Sequence, residues 1–170
     1  LNRNETSKHD NIFYVGKEID VGDNRKIFVE TAFQYTDDIQ GKEVSFANNI
    51  YTAEGGMHLT GFRTALTRAL NDHAKKNDYF KKEDETLTGD DVREGLTAVI
   101  SVKIQNSALQ FEGQTKAKLG NPEARTAVET VVGDAIKDWL EQHPRDAQEI
   151  IGKALLAQKA RKAAKAARET

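Results

Sequence analysis

Hydrophobic and polar positions change their period several times along the chain. From 11 to 19 they alternate, with Phe13, Val15, Lys17 and Ile19 on one side and Ile12, Tyr14, Gly16 and Glu18 on the other. Gly22, Asp23 and Asn24 carry turn chemistry. A second alternating run follows, with Ile27, Val29, Thr31, Phe33 and Tyr35 on one face and Glu30 and Gln34 on the other. Two such runs joined by a short turn predict an antiparallel hairpin. After a polar turn at 36–42, Val44, Phe46, Asn48 and Ile50 predict a third, shorter strand. A Gly-Gly loop at 51–58 leads into a helix predicted from about Leu59 to Lys76, because Leu59, Phe62, Leu66, Ala69 and Leu70 share one stripe. Arg63 falls at the edge of that stripe and Arg68 on the opposite face.

The stretch 77–89 is charged and aperiodic, which predicts an exposed loop. Asp90 and Asp91 are placed to cap one helical turn. In a fourth strand Leu96, Ala98, Ile100, Val102 and Ile104 alternate with Thr97, Val99, Ser101 and Lys103. Both faces are mostly small or apolar, which suits a central strand. An irregular stretch at 105–110 precedes FEGQTKAKLG at 111–120. Asn121 and Pro122 are a cap followed by a first-turn proline. The helix they open runs to about Gln142, with Val128, Val131, Val132, Ala135, Ile136, Trp139 and Leu140 on its apolar face. His143 and Pro144 end it, since the residue before proline is pushed out of helical geometry. A last helix starts at Pro144 and buries Ala147, Ile150, Ile151, Ala154 and Leu155. Beyond Ala157 the stripe fades into KARKAAKAARET, a good helix former without large apolar residues, which predicts a projecting rod. The order predicts an α+β domain: a four-stranded sheet covered on one face by helices, with a long C-terminal helix.

Composition narrows the classes. Net charge is −2 with pI near 6.1, which excludes a globally basic nucleic-acid binder but not a local basic patch. There is no cysteine, hence no disulfide and no thiolate metal site, a composition suited to a reducing compartment. No run approaches the roughly 18 apolar residues of a membrane span. The opening LNRNETSKHD has no apolar signal region and no Met, and KAAKAARET stops within a helical pattern, as expected of a segment of a longer chain.

Candidate chemistry is sparse. The histidines at 9, 58, 73 and 143 have no metal-ligand spacing, so no metal site is expected. Glu54 and His58 could pair as acid and base, but no nucleophile or oxyanion donor accompanies them. There is no Walker sequence. The segment 111–120 stands out, with Gln114, Thr115 and Lys116 placing an amide, a hydroxyl and an amine in succession between Gly113 and Gly120. A lysine suits a terminal phosphate, meeting it as a point charge, and an amide can donate to the same oxygens. The competing reading is a solvated connection. Arg63 has two readings as well, a phosphate contact or an intrachain ion pair. Arg161, Lys162, Lys165 and Arg168 read as a solvated helix face.

Longer blocks add a resemblance. QTKAKLG, with LNRNET, HDNIFYV, SFANNIYTAEGGMHLTGFRTALTRALN, LTGDDVREGLTAVISVKI and FEGQTKAKLGNPEAR, resembles the transducer domain of the B subunits of bacterial type IIA topoisomerases, those of DNA gyrase ahead of those of topoisomerase IV. The Ala/Lys/Arg-rich end is similar to the helix leading to the family's cleavage domain. Two departures stand out: Met57 where the family pattern has Thr, and an IQNSAL connection (104–109) longer than usual.

The resemblance implies a ribosomal-protein-S5 domain-2-like fold with a left-handed crossover over 1–143, followed by a connecting helix over 144–170. It implies a module of an ATP-dependent DNA topoisomerase, inactive in isolation. Gln114 and Lys116 would contact the γ-phosphate of ATP held by a preceding domain. Mg2+ would belong to the full-length enzyme and not to this segment. Arg63 would face the phosphates of a transported DNA duplex. Implied partners are double-stranded DNA, the gyrase A subunit in an A2B2 assembly, and a second B subunit recruited by ATP; the implied location is the cytoplasm, with no membrane contact. Two alternatives stay open, a non-enzymatic nucleic-acid-binding module with an S5-like fold and a structural adaptor with a helical arm. Only the topoisomerase reading needs Lys116.

Overall fold

The computed structural model describes residues 1–3 and 5–169; Asn4, Thr170 and the side chain of Asn106 lie outside it. The LNRNET block, the IQNSAL connection and the 144–170 helix are therefore described without them. The strands are β1 (Phe13–Gly22), β2 (Arg25–Tyr35), β3 (Lys42–Ala47), β4 (Ile50–Tyr51), β5 (Leu96–Lys103), β6 (Phe111–Glu112) and β7 (Lys118–Leu119). The helices are α1 (Met57–Lys76), α2 (Gly89–Arg93), α3 (Pro122–Gln142) and α4 (Pro144–Glu169), with one 3-10 turn at Asn106–Ala108.

The main sheet has the order β1-β2-β5-β3-β4. The β1/β2 and β2/β5 pairs are antiparallel, while β3 and β5 run parallel. β5 lies at the centre, as its two-sided apolar pattern requires. In β2, Ile27, Val29, Thr31, Phe33 and Tyr35 are all buried, in the predicted alternation. On that face β2 packs against α3 and β5 against α1, and Phe33 touches both helices through Phe62 and Trp139. Tyr14 on the other face is exposed. The aromatic centre of the core is Phe13 stacked on Phe33 at 4.6 Å, with Trp139 of α3 edge-on to both.

The sheet has five strands, not the predicted four, because the third run reverses. Asn48 and Asn49 both adopt left-handed geometry, with φ of 49° and 65°. That is the two-residue turn of a tight hairpin, and asparagine is among the few residues that tolerate it. Ile50 therefore turns back as β4, opposite Ala47. The Asn48 side chain secures the turn by bonding both the N–H and the carbonyl of Ile104, each at 2.7 Å.

Other boundaries also shift. α1 begins at Met57, two residues before Leu59. The 77–89 loop is not wholly exposed: Leu87 is buried, and Asn71 holds its backbone at 2.7 and 3.0 Å. Thr88, not Asp90 or Asp91, caps α2. Its hydroxyl accepts from Asp91 N–H, and the Asp91 carboxylate accepts from Thr88 N–H, a reciprocal capping box. In the entry arm His9 is buried, bonding the Asn11 carbonyl through Nδ1 and accepting the Tyr35 N–H at Nε2. Asn11 in turn donates to Asp146 at the start of α4.

Candidate functional site

The segment singled out by its polar run folds as a hairpin. β6 and β7 pair Phe111 with Leu119 and Glu112 with Lys118, and the five residues 113–117 form the tip. Gly113 turns the chain with φ of 80°. Gln114, Thr115 and Lys116 are exposed, and among the described residues their side chains have no hydrogen-bond or ionic partner. Lys118, the second amine of the segment, differs: it pairs with Glu112 at 3.3 Å. The tip thus presents one unpaired cation and one amide.

What makes the tip precise is its base. Leu119 is fully buried and donates its N–H to the Gly55 carbonyl at 3.0 Å, while Glu54 N–H reaches the Ala117 carbonyl at 2.8 Å. Gly56 has φ of 131°, and a Cβ there would sit 2.3 Å from the Leu119 oxygen. Only glycine lets the two backbones approach this closely. On the other side stands Asn121. It holds the N-cap position of α3, as predicted, but its side chain makes no cap bond. Instead its Oδ1 accepts from Gln110 N–H, and its Nδ2 donates to the Ala108 carbonyl and to Glu123, each at 2.7 Å. With Pro122 next there is no N–H at the first helical position, and the amide is spent on the strand that enters the hairpin. The hairpin is therefore tied to the first turns of both α1 and α3.

His58, in the first turn of α1, is completely buried. Its Nε2 lies 3.0 Å from the Thr52 hydroxyl, which donates to the Ser45 carbonyl. Burial pushes its pKa down to about 4, so the ring is neutral at physiological pH. Glu54 is exposed, and no acid–base pair forms with His58.

Arg63 does make an intrachain ion pair. Its Nε and Nη2 grip the Glu43 carboxylate on β3 at 3.0 and 2.8 Å, a bidentate fork. It also borders a shallow depression of about 410 Å3 whose other walls are Thr64, Thr67, Arg68 and Arg93. Arg93 pairs with Asp90 at 2.8 Å. Sequence periodicity separates Arg63 from Arg68, yet both reach the rim. Arg93 arrives from α2, and nothing in the local sequence marks it. Among the described residues no group of three or more His, Cys, Asp or Glu is arranged to hold a metal ion. No described helix is long and apolar enough to cross a membrane.

Among the described residues, the fold and site define an α+β domain with a mixed sheet, four helices and a polar hairpin braced at the starts of α1 and α3. The DNA gyrase B family matches residues 1–170 in full. The DNA gyrase B subunit of Clostridium acetobutylicum is 50% identical over 169 residues, covering 99% of this chain and 26% of that protein. The DNA gyrase B subunit of Haloferax volcanii is 51% identical over 170 residues, with 99% and 26% covered. The crystal structure of the 43K ATPase domain of Thermus thermophilus gyrase B, in complex with an aminocoumarin, superposes with a TM-score of 0.87 at 41% identity, over 99% of this chain and 43% of that one. This chain belongs to the DNA gyrase B family. It spans about a quarter of the length of these curated relatives.

Proposed function

We propose that this chain is the transducer segment of a gyrase B subunit, with residues 1–143 as an S5-like domain and 144–170 as its connecting helix. In this reading it couples ATP hydrolysis to DNA gate closure and strand passage in a type IIA topoisomerase. The observation that carries it is the hairpin tip: Gln114 and Lys116 are exposed and unpaired on a base locked to α1 and α3. The family assignment and the overlap with a gyrase ATPase-domain structure support it.

The donor set fits the outer phosphate of a nucleotide and little else of it. Lys116 supplies a point charge and Gln114 an amide donor. The base, sugar and remaining phosphates of ATP, with Mg2+, then belong to a neighbouring domain of the full protein. Because the tip is braced at its base, a displacement of Lys116 moves the ends of α1 and α3 with it. Loss of the γ-phosphate contact releases one domain orientation in favour of another, the logic of phosphate-sensing switches.

The arginine depression is the candidate DNA-facing surface. Arg63, Arg68 and Arg93 would meet duplex phosphates, not base edges, so contact there is independent of sequence and weakened by salt. Arg63 does this through the N–H groups that Glu43 leaves available. In the assembled cytoplasmic enzyme the partners are DNA, a second B subunit, and the gyrase A subunit.

Lys116→Ala in the full-length protein tests the reading. ATP hydrolysis and supercoiling are abolished while circular dichroism is unchanged. Near-normal ATPase would defeat the phosphate-sensor role and leave the arginine depression as the basis for a non-enzymatic nucleic-acid-binding module.

A further inference from the structure

α4 leaves the domain at a polar clasp. Apolar packing of α4 ends at Ala157, and Gln158 is its last buried residue. Three side chains over the next turn then hold it to the 85–91 segment. Gln158 donates to the Thr86 carbonyl at 2.9 Å. Arg161 grips Asp91 with a two-pronged fork, Nε to Oδ1 and Nη2 to Oδ2, both at 3.0 Å. Lys162 reaches Glu85 at 3.3 Å. From Lys162 to Glu169 every residue is exposed.

Asp91 is the centre of this clasp. It is 2% exposed, and its second task is to close the capping box of α2. A buried carboxylate needs its partners, since an unpaired one in that setting is strongly destabilising. α2 is a single turn and has a second connection. Its Arg93 lines the arginine depression and is held there by Asp90. Adjacent carboxylates on one short helix therefore serve two places, Asp90 the depression and Asp91 the connecting helix. Gly95, with φ of 72° and the Thr36 carbonyl 2.7 Å from where a Cβ would stand, ends the unit at a backbone contact no other residue fits.

We infer that α2 is a coupling joint between the arginine depression and α4: phosphate arriving at Arg93 competes with Asp90 for its guanidinium, and the resulting shift of α2 reaches α4 through the Asp91–Arg161 fork. Arg161 is a positioning residue in this scheme, touching neither nucleotide nor DNA. The inference rests on the transducer reading, and its test separates the two.

The experiment uses Arg161→Gln and Arg161→Lys in the full-length protein, reconstituted with the gyrase A subunit. ATP hydrolysis is measured with and without linear DNA, and supercoiling is scored per ATP consumed. Hydrogen exchange of α4 is followed in the 170-residue chain. With Arg161→Gln the DNA-stimulated hydrolysis rate stays within about twofold, but supercoiling per ATP falls about tenfold, in the range by which mutations at coupling positions act. Amides beyond 158 exchange about tenfold faster while those of 147–155 keep their protection. Arg161→Lys restores the charge without the fork and gives an intermediate ratio. It also decides the matter if the glutamine variant fails to fold. A wild-type ratio of supercoiling to ATP in either folded variant overturns the inference. The transducer reading fails separately, on the hydrolysis rate of Lys116→Ala.

Discussion

Acid should loosen this domain at His58, at a size the structure sets. The ring is completely buried in the first turn of α1, and burial lowers its pKa from the usual 6.5 to about 4. In the unfolded chain the imidazole returns to its usual value. Between the two values the unfolded chain takes up a proton that the folded chain refuses. Stability is therefore complete above about pH 7 and declines as the pH falls through 6.5 towards 4. At roughly 1.4 kcal/mol per pH unit, the interval gives a ceiling of about 3 kcal/mol, of which about 2 kcal/mol is lost by around pH 5. That is a large share of the ~5–15 kcal/mol that holds a typical domain together.

His9 and His73 are also lowered by burial and push in the same direction, so the wild-type profile alone does not isolate His58. The comparison is with His58→Gln, which retains an amide donor for the Thr52 hydroxyl but cannot titrate. Urea unfolding at pH 7.5 and 5.0 measures both proteins. The wild type should lose about 2 kcal/mol more than the variant over that interval. Equal losses would refute the reasoning, because they would place the acid-sensitive group elsewhere.

Gly56→Ala places a Cβ within 2.3 Å of the Leu119 oxygen at positive φ, so it should cost at least about 2 kcal/mol by thermal unfolding. Asn121→Ala strands the Gln110 N–H and the Ala108 carbonyl, a loss of about 2–4 kcal/mol in urea titrations, with faster hydrogen exchange across 108–120. Arg63→Gln leaves basal ATPase of the full-length protein unchanged and weakens its DNA stimulation. Its stability cost is at most about 1 kcal/mol, since the Arg63–Glu43 pair is partly exposed on the arginine side. The isolated 170-residue chain should bind ATP too weakly for a calorimetric isotherm at micromolar concentration, because the tip offers only one amine and one amide.

Much of this protein is decided locally and is therefore legible in its sequence. The β1/β2 hairpin, the central position of β5 and the apolar stripes of α1, α3 and α4 follow from period and burial, which every residue carries with it. The polar tip at Gln114 and Lys116 is legible for the same reason, because a polar, glycine-bounded run projects its side chains wherever it is anchored. What long-range contact settles is different in kind. The third strand reverses at Asn48 because that side chain finds Ile104, 56 residues away. Asn121 gives up its helix-cap bond because Gln110 and Ala108 lie beside it. Arg63 meets Glu43 across 20 residues, and Arg161 meets Asp91 across 70. A charged side chain announces its chemistry in the sequence, but its partner is chosen only when folding brings distant carboxylates within about 3 Å and removes the water between them.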